Sequence, residues 1–77
     1  MRPDALRAYQ FARAMLAAAR EAGRTTALRA GRERVAADYY AEHLGEQLGG
    51  VLPGMRDALA DAFVAGARER RSGMVEA

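Results

Sequence analysis

Residues 55–71 read MRDALADAFVAGARERR, and their spacing decides the fold. Met55, Ala58, Leu59, Ala62, Phe63 and Gly66 recur at intervals of three and four, the period of one face of an α-helix. Asp57 and Asp61 stand toward the start of this stretch and Arg68, Arg70 and Arg71 at its end. Both placements suit the helix dipole. The pattern predicts a helix from about Pro53 to Arg71, with residues 72–77 as a frayed tail. Within it Ala58, Ala62 and Gly66 form a row of small residues at every fourth position. A neighbouring backbone can come close along such a row, so the helix is expected to dock through it.

Working outward, Gly49-Gly50 and Leu52-Pro53-Gly54 separate this helix from a second. Thr26 to Leu48 is helical in pattern but interrupted at Gly31. A glycine inside a helix costs about 1 kcal/mol relative to alanine, so a break is expected there, with the main helix from Arg32 to Leu48. This helix carries two apolar stripes. Ala37, Tyr40, Ala41, Leu44 and Leu48 form one; Leu28, Val35 and Tyr39 lie nearly opposite. A helix on the outside of a monomer needs a single apolar stripe. The second stripe, Leu28, Val35 and Tyr39, is therefore assigned to an oligomer interface, where tyrosine is a frequent anchor.

The first helix is expected from Pro3 to Ala22, ending at Gly23. Proline fits the first turn, and Asp4 meets the positive end of the dipole. Ala5, Ala8, Phe11, Ala12, Met15, Leu16 and Ala19 share one arc, with Arg13 and Arg20 on the other side. Arg24-Thr25-Thr26 makes the first connection, and either threonine could cap the next helix.

Composition agrees with helices. The 77 residues include nineteen alanines, while valine and threonine together number six, too few for a β fold. The expected fold is a single all-α domain: three helices, or four if Gly31 divides the second, in an alanine-rich antiparallel bundle. A chain this short buries only about 60% of its unfolded surface. Without disulfides or metal it commonly needs tight helix packing or a partner subunit, and a homodimer is expected.

Several chemistries are set aside. There is no cysteine, hence no disulfide or thiol chemistry. His43 is the one histidine, near the acidic row Asp38, Glu42 and Glu46. A di-iron bundle site needs Glu-x-x-His, and the residue three before His43 is Tyr40. Neither metal nor cofactor is expected. Gly45, Gly49 and Gly50 lack the Lys and Ser/Thr of a phosphate loop. No nucleophile–base pair stands out, so no enzymatic activity is expected. No run approaches the ~20 apolar residues of a membrane span, and the expected location is the cytoplasm.

Charge is unevenly placed. Residues 1–34 carry eight arginines against three acids, whereas residues 35–65 carry Arg56 against five acids. Arg13, Arg20, Arg24, Arg29, Arg32 and Arg34 cluster around the first connection. Guanidinium forks suit carboxylates or phosphates, and these six are assigned to partner binding. The expected function is binding of a macromolecular protein partner. The alternative is a DNA-binding regulator using the arginine-rich region 13–34. Ala19-x-x-x-Gly23 resembles the helix-turn segment of a helix-turn-helix, but Arg29 and Arg32 then fall at the apolar packing positions of its second helix; the frame Ala27-x-x-x-Gly31 puts Ala37 and Tyr40 there and leaves Thr26 to Ala30 as a very short helix. Small size without site chemistry is common among proteins of phages and mobile elements, including inhibitors of host defence such as anti-CRISPR proteins. That parallel is one of composition, and no motif identifies a family.

Overall fold

The computed structural model describes residues 3–47 and 54–76. They form three helices, α1 (Pro3–Thr25), α2 (Glu33–Gln47) and α3 (Met55–Glu76), with no strand among the described residues. Helix α3 packs on both others, and α1 and α2 scarcely meet. The molecule measures 45 × 23 × 16 Å with a radius of gyration of 13.6 Å. A compact chain of this length would have about 11.5 Å, so the helices form a long, thin layer.

The α1–α3 contact is made backbone to backbone. Gly66 of α3 is buried, and a Cβ built there would overlap the Arg20 carbonyl and lie 2.9 Å from the Arg24 amide nitrogen. Gly23 of α1 is its counterpart. A Cβ there would overlap the Phe63 carbonyl and lie 3.1 Å from the Ala67 amide nitrogen. Each glycine follows an alanine by four positions: Ala19, which is fully buried, and Ala62, which is half-buried. Small-x-x-x-small spacing on both partners is what allows two helix backbones to approach this closely. The row expected to dock α3 is thus matched by a second row on α1.

This explains why α1 does not stop at Gly23. The residue lies inside the helix, which runs on to Thr25, and its missing side chain makes room for α3. The expected caps also differ. Thr25 Oγ1 donates to the Glu21 carbonyl at 3.0 Å, and Thr26 Oγ1 donates to the Ala22 carbonyl at 2.6 Å. Both threonines close the end of α1, where carbonyls lack helical partners, instead of starting α2.

Residues 26–32 form a non-helical linker, so the chain has three helices among its described residues and not four. Gly31 has φ 83°, a left-handed conformation that glycine adopts without a Cβ penalty. The Arg32 N–H donates to the Arg29 carbonyl at 3.1 Å, and the Arg32 carbonyl accepts from the Ala36 N–H at 3.1 Å, opening α2. Leu48, the Gly49-Gly50 stop and the Leu52-Pro53 start lie outside the described residues. Helix α3 follows Gly54 (φ 85°) and continues to Glu76, past the expected end at Arg71.

The core runs along α3. Ala19, Ala37, Ala41, Leu59, Ala60, Phe63 and Val64 are buried together, with Met15, Leu16 and Leu44 packed against them. Leu59 is the largest fully buried side chain. Tyr40 meets Phe63 with ring centroids 5.2 Å apart. Ion pairs cross the helix seams: Arg20 with Glu69, Arg71 with Glu33, Arg34 with Asp61 at 2.8 Å and Arg56 with Glu42 at 3.2 Å. Most are exposed at both partners. Glu33 is the exception, with its side chain only 12% exposed.

Two stability predictions follow from this packing. Gly66→Ala places a methyl against backbone that cannot swing aside, and overpacking of this kind costs about 1–3 kcal/mol. Its melting temperature should fall by roughly 4–20 °C for a domain of this size. Gly73 is the control, since nothing lies within 4 Å of a Cβ there. Gly73→Ala should stabilise by about 0.5–1 kcal/mol through helix propensity alone. Equal shifts in thermal melts of the two variants would contradict the close α1–α3 crossing. Urea denaturation should likewise separate two ion pairs. Arg71→Met strands the mostly buried Glu33 carboxylate and should cost about 1–3 kcal/mol, whereas Arg20→Met at an exposed pair should cost about 0–1 kcal/mol.

Candidate functional site

Helix α2 has one covered face and one bare one. Ala37 and Ala41 are buried against α3, and Tyr40 and Leu44 are half-buried beside them. The opposite stripe is open to solvent: Val35 is 62% exposed and Tyr39 72%. Leu28, on the linker, is half-buried and packs against the core. The stripe assigned to an oligomer interface is therefore split. Leu28 belongs partly to the fold, while Val35 and Tyr39 touch little of their own chain.

Between the linker and α2 lies a shallow groove of about 470 Å³. Leu28, Val35, Ala36, Tyr39, Tyr40 and Phe63 give it apolar walls, and Thr26, Arg32 and His43 are its polar members. His43 stacks on Tyr39, with centroids 6.1 Å apart and planes 5° from parallel. The i, i+4 spacing of the two residues on one helix face produces this stack. No carboxylate lines the groove.

The six arginines assigned to partner binding do not form one uniform cluster. Arg20 pairs with Glu69, Arg24 with Glu21 at 2.6 Å, and Arg34 with Asp61. The hydrogen bond from Arg34 to Asp61, and then the Asp61 charge, hold that guanidinium still more firmly protonated than usual. Arg13 lies over the Tyr9 ring, 5.9 Å from its centroid, within the range of a cation–π contact. Arg29 and Arg32 are exposed, and neither has a carboxylate partner among the described residues. They are the two of the six that stand on the linker, and Arg32 also lines the groove.

In the sequence Arg70 and Arg71 stand only as companions of the α3 dipole. They also fasten the linker. Arg70 Nη1 donates to the Arg24 carbonyl at 3.2 Å, Arg71 pairs with Glu33, and both line a small cavity with Thr26 and Leu28. No spacing in the sequence signals these contacts, because their partners lie 46 and 38 residues away.

Neither helix-turn-helix frame forms. Gly23 is inside α1, and Thr26 to Ala30 is not helical. The acidic row Asp38, Glu42 and Glu46 is exposed, and Glu42 is engaged by Arg56. No group of three potential ligands is placed to hold a metal ion among the described residues. No helix among them is long and apolar enough to cross a membrane. Comparison with protein-family models, curated proteins and solved structures finds no match to this chain.

Proposed function

We propose that this chain is a non-enzymatic helical interaction module that binds a macromolecular protein partner. One observation carries the reading. Val35 and Tyr39 stand exposed on an apolar groove that Arg32 also lines, and neither Arg32 nor Arg29, both on the linker, has a carboxylate partner among the described residues. Tyrosine and arginine around an apolar depression are the residue types that anchor protein interfaces. Of the other four arginines, Arg20, Arg24 and Arg34 pair with acids of their own chain and Arg13 lies over the Tyr9 ring.

The scaffold in this reading is an antiparallel, alanine-rich bundle. Glu33 and Glu42 of α2 pair with Arg71 and Arg56 of α3, a reversed order that supports helices running in opposite directions. Ala19, Ala37, Ala41, Ala60 and Ala67 in the core support the alanine-rich description. Self-association through Val35 and Tyr39, a cytoplasmic location and a role such as inhibition of host defence by a phage or mobile element belong to the same proposal. The last rests on small size and the lack of site chemistry.

The second reading, a DNA-binding regulator, draws on Arg29 and Arg32, whose forks suit phosphates equally well. Affinity purification and a gel shift separate the two. Immobilised wild-type chain should retain a protein at near-stoichiometric yield. Tyr39→Ala should weaken that retention by about thirtyfold, the effect of a 2 kcal/mol hot spot. Arg20→Gln with Arg24→Gln should leave it within a few-fold, since both arginines already serve their own chain. Binding to random duplex DNA that weakens steeply with salt, unaffected by Tyr39→Ala, would move the function to the second reading.

A further inference from the structure

We infer that the occupant of the bare face of α2 is a second copy of the same chain, laid antiparallel with the twofold axis passing at Tyr39. This inference rests on the interaction reading above and names the partner of that surface. At 100° per residue, Arg32, Val35, Tyr39, His43 and Glu46 fall on one strip about 80° wide, opposite the stripe buried on α3. The strip is apolar in the middle, cationic at its start and anionic at its end. Arg32 and Glu46 are both exposed, and neither has an ion-pair partner among the described residues. Arg32 immediately precedes α2, and the fourteen positions from it to Glu46 span about 21 Å at the helical rise, so they cannot meet within one chain.

In an antiparallel pair the two residue numbers facing each other have a constant sum. Setting Tyr39 opposite the partner's Tyr39 places Arg32 opposite the partner's Glu46 and Val35 opposite the partner's His43. Because a twofold interface uses the same patch on both subunits, the Arg32–Glu46 pair then forms twice. Tyrosine meets tyrosine at the centre, where the residue is 72% exposed in the single chain. A parallel arrangement would instead set Arg32 against Arg32 and Glu46 against Glu46, like charge on like at both ends. The charge pattern therefore selects orientation and register together. A strip of one helix face covers less than a standard interface, which buries about 1,600 Å². The dimer is accordingly a weak, reversible one.

The test is charge reversal read by analytical ultracentrifugation. Wild type should show a reversible monomer–dimer equilibrium at about 10–100 µM, the weak range for a small interface, and salt should weaken it. Arg32→Glu alone and Glu46→Arg alone should each raise the dissociation constant at least about tenfold, since each sets like charges together twice. Both positions are exposed, so circular dichroism should show unchanged helix content. Mixing the two variants in equal amounts restores opposite charges at both ends. Heterodimers should then form with near wild-type affinity, seen by native mass spectrometry.

A monomeric wild type at the highest concentration, or single variants that dimerise like wild type, would overturn the inference. A mixture that stays monomeric would overturn it as well. The two levels of the argument remain separable. If wild type is monomeric yet retains a different protein through Tyr39, self-pairing fails and the interaction reading stands. If Tyr39→Ala alters neither self-association nor protein retention, the interaction reading itself fails.

Discussion

The structure depends on the mutual approach of Gly23 and Gly66. Helices in proteins usually lie 8–10 Å apart, filled by large side chains. This chain buries mostly alanine along α3, with Leu59 its largest fully buried side chain. An alanine methyl cannot bridge an ordinary interhelical gap. At the α1–α3 crossing Ala19 is buried because the backbones themselves come together, and the two glycines permit that. The closeness of these two helices is a consequence of two absent Cβ atoms.

The attachment of α2 is of another kind. It rests on Ala37, Ala41, the Tyr40–Phe63 ring contact and exposed ion pairs. Because α1 and α2 scarcely meet, no other described helix wraps the far side of α2. Val35 and Tyr39 are left in water by the same thin arrangement that economises on large core residues. The exposed surface and the sparse interior thus have one origin, a layer of helices only 16 Å thick in its shortest dimension.

Much of this was legible in the sequence, and the parts that were not share a cause. The α3 row Ala58, Ala62 and Gly66 and the α2 stripe Ala37, Tyr40, Ala41 and Leu44 follow from periodicity, which a single helix carries within itself. Gly23 has the local signature of a terminator, because glycine after a periodic run has that meaning, yet it lies inside α1. Its other meaning, a space for a neighbour's backbone, exists only once α3 is beside it. Thr25 and Thr26 were assigned forward to α2 for the same reason: a hydroxyl near two helix ends gives no direction. The six arginines looked alike by density. Only the fold divides them, sending Arg20 and Arg34 to acids 49 and 27 residues away and leaving Arg29 and Arg32 on the linker.

The glycine crossing has a consequence for how the molecule assembles in time. It joins residues more than forty positions apart, whereas the α2–α3 pairing is closer in sequence. Closing the longer loop costs more chain entropy, and contacts of large sequence separation slow folding. A growing chain lacks the tightest contact of the fold until Gly66 has been made. Until then α1 carries Met15, Leu16 and Ala19 without their cover, and of the three helices the one made earliest waits longest for its place.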